Sequence, residues 1–320
     1  AIYISDQTSN LIIKNCEFDE NFGLAGGAVL SYLNNDTSMT FQNCTFYNNI
    51  SRYGAGLYFL VNDNATVSLD ITNCLFHRNR SEDVGSNTGY TGSSAWIRAN
   101  GTGSNLTTTI TNCTFGGNND VGSQASTVKG TLGLSRRTDG NSTHNATINN
   151  SIFYFNDVLG GSTGVSINQG HVSFPNTVFV NNSISEDNFS NLSFLTNTSN
   201  SNPQFTDAPN FDFTLQPGSP AIDAGDNSLV PSGITSDLLF NQRIHNATVD
   251  LGVYEYGAAS TLSVDDFELS INDIKIYPNP TSDYINIKSS DKINSVEVYD
   301  MLGKKILDSK HKTINLKSIP

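Results

Sequence analysis

Two short charged stretches carry the residue types that catalysis would need. The first is Glu82-Asp83, and the second contains Arg136, Arg137 and Asp139. Carboxylates can coordinate Ca²⁺ or act in pairs as general acid and base, and a neighbouring arginine can take part in proton abstraction. The spacing within these stretches matches no catalytic motif. Solvated loop charge is therefore the simpler interpretation, and no catalytic residue is identified beyond these weak candidates.

A second set of residues could bind a ligand without transforming it. The rings of Tyr90 and Trp96 could stack on the apolar face of a sugar, and Arg98 and His144 could supply hydrogen-bond donors. Trp96 lies in an apolar stretch with strand character, so packing within the protein is the competing interpretation of this residue.

The histidines and cysteines are not spaced as metal ligands. The histidines are scattered, and the four cysteines recur singly, one in each of four repeated segments. We therefore predict no cofactor and no metal site, with Ca²⁺ left open because of the loop carboxylates. The cysteines are predicted to be free and buried, and disulfides between neighbouring repeats are the alternative.

The charge balance excludes one large class of partner. The chain has 17 Lys and Arg against 30 Asp and Glu, which gives a formal net charge of −13, and its pI is about 4.6. Nucleic acids need a basic face, so we expect no nucleic-acid partner. The chain also has no transmembrane segment, because it lacks an apolar stretch long enough to span a bilayer.

A repeated pattern organises the first 200 residues. It reads apolar, any, Asn, small, any, Phe, any, any, Asn, as in Ile110 to Asn118. Counted at the small residue, the copies are spaced by 28, 30, 39, 38 and 26 residues, which is the range of solenoid repeats. The small residues are Cys16, Cys44, Cys74, Cys113, Ser151 and Thr177.

Alternation within each copy predicts strands, and Gly-rich and Asn-rich corners between short strands predict the coils of a parallel β-helix. Equivalent residues of stacked coils lie about 4.8 Å apart, so recurring residues should form ladders. The predicted inner ladder contains Phe18, Phe46, Phe76, Phe115, Phe153 and Phe179. The predicted corner ladder of amides contains Asn21, Asn49, Asn79, Asn118, Asn156 and Asn182.

The repeated Asn-Cys-x-Phe segments resemble those of bacterial surface proteins in the pectate-lyase-like superfamily. This resemblance covers residues 1–200 and implies a right-handed parallel β-helix, a solenoid found in both binding proteins and enzymes. The predicted fold class is therefore all-β, with the solenoid followed by a small partial β-sandwich.

Residues 201–257 follow a different pattern. Ser-Pro-Ala-Ile-Asp at 219–223, Asn-Gln-Arg at 241–243 and Asp-Leu-Gly-Val-Tyr-Glu at 250–255 resemble the choice-of-anchor Q segment of secreted β-helix proteins. We expect this segment to cap the exposed end of the coils. Arg243 could pin it by pairing with one of four carboxylates, namely Asp223, Asp237, Asp250 or Glu255.

A linker is predicted at residues 258–275, followed by a sorting domain at 276–320. Tyr-Pro-Asn-Pro at 277–280 and Tyr-Asp-Met-Leu-Gly-Lys at 299–304 resemble the type A sorting domain of the type IX secretion system of Bacteroidetes. That resemblance implies type IX secretion machinery as a partner and a location outside the cell or on the outer-membrane surface of a Gram-negative bacterium. Members of this family continue past the position of Pro320, so the domain is expected to be truncated.

Three functional hypotheses follow. The preferred one is a secreted, surface-displayed β-helix that binds an extracellular polysaccharide or a cell-surface glycan, or acts as an adhesin. The first alternative is a polysaccharide lyase or glycoside hydrolase on the same scaffold. The second is a stalk of a larger adhesin that binds nothing itself. An enzyme should show converging charged side chains, whereas a binding protein should show exposed aromatic rings and amides.

Overall fold

The protein folds as two units, residues 1–261 and residues 262–320. The computed structural model describes residues 1–6, 8–82, 92–120, 130–137, 141–158, 165–169, 176–261, 275–277, 283–288, 293–299 and 305–315. The described secondary structure is strand apart from two short 3₁₀ turns, which confirms the predicted all-β class.

Each coil of the first unit runs through three parallel sheets. The first sheet contains β1 (Ile2–Ser5), β5 (Val29–Leu33), β9 (Leu57–Val61), β13 (Ala95–Ala99), β17 (Gly130–Arg136) and β21 (Val165–Asn168). The second contains β2 (Leu11–Lys14), β6 (Thr37–Gln42), β10 (Thr66–Thr72), β14 (Asn105–Thr111), β18 (Thr143–Asn149), β22 (Thr177–Ser185) and β23 (Phe194–Ser199), continued by β3 (Glu17–Asp19), β7 (Thr45–Tyr47), β11 (Leu75–His77), β15 (Thr114–Gly116) and β19 (Ile152–Tyr154). The third contains β4 (Phe22–Gly23), β8 (Ile50–Ser51), β12 (Arg80–Ser81), β16 (Asn119–Asp120) and β20 (Asp157–Val158).

The predicted phenylalanine ladder lies inside the coils. Phe46 and Phe76 stack with ring centroids 4.5 Å apart and planes 2° from parallel, and their neighbours stack at 4.4 to 4.7 Å. All five rings are buried, with at most 6% of their surface exposed. This confirms five of the six predicted positions, which are Phe18, Phe46, Phe76, Phe115 and Phe153.

The predicted asparagine ladder holds the coils together beside the rings. Asn79 is fully buried, and its Nδ2 donates to the Phe46 carbonyl at 2.8 Å and to Asn118 Oδ1 at 3.1 Å. Asn79 Oδ1 accepts from Nδ2 of Asn49 at 2.9 Å, so each amide bonds the coils on both sides. The same bonds join Asn21, Asn49, Asn79, Asn118 and Asn156.

The sixth predicted copy was wrong by six residues. Phe179 is 43% exposed and packs on Phe194 outside the coil, while Asn182 adopts a left-handed φ of 46°. The small residue of this coil is Ser183 rather than Thr177, because its Oγ accepts from the Ser151 amide. The ring ladder then ends where Phe189 meets Phe153 edge to face at 5.7 Å.

Asn182 instead belongs to a second asparagine ladder at another corner. Every member has a φ of 46° to 55°, a left-handed conformation that asparagine tolerates better than other residues with a Cβ atom. The strand register places these residues one above another in successive coils. They are Asn15, Asn43, Asn73, Asn112, Asn150, Asn182 and Asn197.

The segment 201–257 packs along the side of the coils instead of over their end. Its elements are β24 (Phe205–Asp207), a 3₁₀ turn at Ala208–Asn210, β25 (Asp212–Leu215) and a 3₁₀ turn at Asn227–Leu229. Phe213 fills the space above Gly116, where any Cβ would lie 2.4 Å from the ring. Leu75 and Ile152 point outward from the coils and join a second apolar core with Leu251 and Val253. The outward side chains of Leu75 and Ile152 are apolar, and the ring of His77 beside Leu75 contacts Phe211 and Phe213, which explains why the segment covers this side.

Arg243 pins the side segment, and Glu255 is its ion-pair partner among the four expected carboxylates. The pair is 2.6 Å apart and both side chains are 1% exposed. The same guanidinium donates to Asn73 Oδ1 on the third coil at 3.3 Å and to the Gly252 carbonyl at 3.2 Å. Asp237, fully buried, accepts from the backbone amides of Leu239 and Asn241. These contacts give the carboxylates a structural role.

All four cysteines are free, as predicted, but only Cys44, Cys74 and Cys113 are buried, while Cys16 is partly exposed. The Cys74 backbone amide lies 3.4 Å from Cys113 Sγ on the next coil, so the thiols continue a stack of small residues.

In the second unit, β26 (Lys275–Tyr277), β27 (Tyr284–Lys288) and β30 (Thr313–Asn315) form an antiparallel sheet. β28 (Val296–Tyr299) and β29 (Lys305–Ser309) form a hairpin.

Asn79→Ala should destabilise the coils by roughly 3 kcal/mol, because each buried partner left unpaired costs about 1–3 kcal/mol. Urea unfolding followed by circular dichroism measures this loss. Asn34→Ala is the matched control, since Asn34 also bonds neighbouring coils but is exposed, so water can replace its bonds and the loss should stay below about 1 kcal/mol. Equal losses in the two variants would contradict the structural role of the buried ladder.

Gly116→Val should loosen the side segment, because the new side chain must displace the Phe213 ring. We expect a loss of about 1–3 kcal/mol and faster proteolysis within residues 201–257. The double variant Gly116→Val/Phe213→Ala removes the clash. The double variant should therefore lose less free energy of unfolding than the two single variants lose together. Strictly additive losses would argue against this contact.

Candidate binding face

The catalytic candidates that the structure describes do not come together in one site. Glu82 follows β12 in the third sheet and pairs with Arg80. Arg136 ends β17 in the first sheet and donates to the Ser142 carbonyl at 2.7 Å, and Arg137 is exposed beside it. Asp83 and Asp139 lie outside the described residues.

His144 belongs to the interior, which corrects its prediction as a surface binding residue. It is 2% exposed, with Nε2 3.0 Å from Thr108 Oγ1 and Nδ1 3.1 Å from the Ser135 carbonyl. Burial lowers the pKa of His144 to about 4, so the ring is neutral near pH 7. Burial alternates along β18, and this alternation turns the His144 side chain inward.

Trp96 and Arg98 do share one surface, the outer face of the first sheet. The strand register aligns Tyr3, Leu30, Tyr58, Trp96 and Gly133 in one column across five coils. Trp96 is 5% exposed and stacks on Tyr58 with ring centroids 5.0 Å apart. It is therefore packed rather than open to a ligand, which corrects its prediction as a direct contact.

The accessible rings of this face are tyrosines. Tyr53 lies beside Trp96 at 5.2 Å between ring centroids and is half-buried. Tyr32 is also half-buried and meets Tyr3, which is 64% exposed, edge to face at 6.2 Å. We call Tyr3, Tyr32, Tyr53, Tyr58 and Trp96 the aromatic face.

Two arginines border the aromatic face. The guanidinium of Arg98 lies 5.7 Å from the Trp96 ring centroid, and that of Arg52 lies 5.0 Å from the Tyr53 centroid. Arg98 Nε and Arg52 Nη2 are buried without a hydrogen-bond acceptor. Burial raises the pKa of the Tyr58 hydroxyl to about 12, against the lowering effect of the Arg98 charge, so this hydroxyl keeps its proton.

Sequence reasoning missed the tyrosines of this face. Tyr32, Tyr53 and Tyr58 are separated by irregular distances along the chain. The strand register aligns Tyr58 with Trp96, whereas Tyr53 reaches the Trp96 ring from the corner before β9. The usable signal was the recurrence of large side chains at Leu30 and Tyr58, which are 28 residues apart, as the first coils are. Tyr90, the other predicted ring, lies outside the described residues.

The described residues contain no group of three or more His, Cys, Asp or Glu side chains placed to hold a metal ion. Within the same part of the chain, no helix has the length and apolar character needed to cross a membrane.

Comparison with known protein families gives a match at the C-terminal end of the chain. Residues 275–320 match the family model of the secretion system C-terminal sorting domain. This type IX sorting domain indicates secretion and attachment at the cell surface in Bacteroidetes, with the type IX machinery as a partner. No curated protein matches the sequence.

Lowering the pH from about 6.5 to about 4 should destabilise the protein through His144. The unfolded histidine takes up a proton near pH 6.5, whereas the buried one takes it up only near pH 4, so protonation favours unfolding in this window. His144→Gln should remove up to roughly 3 kcal/mol of this pH dependence, measured as the difference between urea unfolding at pH 7 and at pH 4.

His311→Gln is the control for this experiment, because His311 is exposed in the second unit. The control should keep the pH dependence of the parent protein. If His144→Gln also keeps it, the buried neutral state of His144 is wrong.

Proposed function

We propose that this secreted, surface-displayed solenoid binds an extracellular polysaccharide or cell-surface glycan across its aromatic face. The observation that carries the proposal is the gathering of Tyr3 and Tyr32 on one outer sheet and of Tyr53 at its edge, next to the packed rings of Tyr58 and Trp96. Tyrosine combines an apolar ring with a polar hydroxyl, which suits the alternating apolar and hydroxyl-rich faces of sugars. The pectate-lyase-like identity of the coils and the choice-of-anchor Q identity of residues 201–257 are part of this proposal.

The packing beneath the face supports a binding role. Trp96 Nε1 donates to Ser135 Oγ at 2.8 Å, and Tyr58 stacks on the same ring, so the supporting layer is held in one orientation. A rigid base lets the half-buried Tyr53 meet a ligand with little loss of conformational entropy. The parallel strands beneath the face also repeat at about 4.8 Å, so a long polymer could contact several coils at once.

The arginines give the face donors for sugar oxygens. Arg98 Nε and Arg52 Nη2 lack acceptors in the free protein, and a small side-chain movement would let hydroxyl or carboxylate oxygens satisfy them. Lyase or hydrolase chemistry has weaker support, because Glu82 pairs locally with Arg80 and Arg136 is engaged by a backbone carbonyl.

The double variant Tyr32→Ala/Tyr53→Ala should weaken glycan binding by at least about tenfold, because it removes two accessible stacking surfaces. A panel of neutral and acidic polysaccharides, assayed by affinity electrophoresis or titration calorimetry on the full chain, identifies the ligand and measures the loss. Tyr256→Ala is the matched control, since Tyr256 is 36% exposed on the side segment, away from this face.

The same panel separates the three functional hypotheses. Binding that depends on the tyrosines, without product release, supports the proposal. Release of unsaturated or reducing sugars that disappears in Arg136→Ala or Arg137→Ala would replace it with an enzyme. Absence of binding to every glycan would leave the stalk hypothesis.

A further inference from the structure

A small cavity lies where the third sheet of the coils meets the side segment, and no residue of the aromatic face lines it. It has a volume of about 290 Å³ and is lined by Asn48, Ile50, Arg78, Arg80, Gly117, Asn119 and Phe211. This volume is close to the lower end of small-molecule sites, about 300–1,000 Å³, so it suits a single ring rather than a long polymer.

The corner of the coil explains why a cavity exists at this place. Asn48, Arg78 and Gly117 occupy the same corner of successive coils, and all have a left-handed φ, between 52° and 64°. The side chains of Asn48 and Arg78 point outward, whereas Gly117 has no side chain. A Cβ at Gly117 would lie 3.1 Å from the Phe211 ring, so the missing side chain makes room for that ring.

Phe211 in turn orients Arg78. The guanidinium carbon of Arg78 lies 4.4 Å from the centroid of the Phe211 ring. Stacking covers one flat face of a guanidinium and leaves the N–H groups at its edge available, which is the geometry that binds carboxylate or sulfate with two hydrogen bonds. Arg78 is exposed and forms no ion pair with any residue that the structure describes.

The charges and amides around Arg78 define the ligand further. Arg80 adds a second positive charge and is partly neutralised by Glu82. Asn119 Oδ1 is buried without a hydrogen-bond partner, and Asn48 Nδ2 makes a long bond of 3.3 Å to Glu20. Glu82 offsets the charge of Arg80 and Glu20 is held by Asn48, so Arg78 is the cation of this lining that has no carboxylate partner among the described residues and can take an anion, while the two amides suit hydroxyl groups.

We propose that this cavity is a second binding site, which takes a single sugar ring bearing a carboxylate or a sulfate. Arg78 holds the oxyanion edge-on, Arg80 strengthens the positive field, and Phe211 fixes the Arg78 orientation. Asn119 Oδ1 accepts a hydroxyl hydrogen of the sugar. The site does not depend on ligand binding at the aromatic face.

Titration calorimetry on the full chain with glucuronate, glucose 6-sulfate, glucose and inorganic sulfate tests the site. We expect one or both acidic sugars to bind, and the tighter of the two shows which oxyanion is preferred. Their affinity should fall as the salt concentration rises, because the contact is ionic and exposed. Glucose should bind at least about tenfold more weakly.

Arg78→Gln should weaken binding of the acidic sugar by about tenfold or more, because it removes the positive charge and the guanidinium edge while it keeps a polar side chain at this exposed position. Asn119→Asp places a negative charge in the lining and should weaken binding while it leaves Arg78 in place. The matched control Lys14→Gln removes an exposed positive charge elsewhere on the coils and should bind like the parent protein. Circular dichroism confirms that each variant is folded.

Several outcomes would overturn this site. The first is that neither glucuronate nor glucose 6-sulfate binds. The second is that folded Arg78→Gln binds the acidic sugar as tightly as the parent protein does. The third is that glucose binds as tightly as the acidic sugars. Equal binding of inorganic sulfate and glucose 6-sulfate would overturn the sugar part of the assignment.

Loss of polysaccharide binding in Tyr32→Ala/Tyr53→Ala with intact glucuronate binding would show that the two sites are separate.

Discussion

Hydrogen bonding between stacked coils is the constraint on which this structure depends. Parallel strands repeat about every 4.8 Å, so a buried polar side chain must find partners on the coil above and the coil below. The side-chain amide meets this demand because it has both donors and acceptors, and Asn79 uses both. An aromatic ring meets the matching apolar demand, because flat rings stack face to face at a spacing close to the strand repeat. The repeating Asn and Phe of the sequence follow from these two demands.

The same repetition leaves the outer surface free to differ from coil to coil. Inward positions must match their neighbours, whereas outward positions need only avoid clashes. On one sheet the outward column holds Tyr58 and Trp96, which build the aromatic face. On another wall Gly116 and Gly117 leave gaps that Phe213 and Phe211 enter. The side segment is therefore held by apolar contacts as well as by the buried Arg243–Glu255 pair.

The sixth coil shows how far a sequence pattern can be extended. Phe179 and Asn182 fit the spacing of the motif, but the register with β18 places Phe179 outside and Asn182 at the left-handed corner. Strand alternation allows an apolar side chain to point either into the coil or out of it. Only the pairing with a neighbouring strand selects one of these directions. For the same reason the inward direction of His144 was not recognised.

The sequence by itself determined the all-β class, the five stacked phenylalanines, the five-membered asparagine ladder and the sorting domain at the C-terminal end, and it favoured free thiols over disulfides. These features are readable because a solenoid repeats its inner residues, and because the sorting motifs are short and specific. Only the tertiary structure decided where residues 201–257 pack, which carboxylate pairs with Arg243, and which tyrosines surround Trp96. The tyrosines come from coils separated by loops of unequal length, and Arg243 and Glu255 lie in a segment that has no repeat, so no fixed spacing in the sequence encodes these contacts.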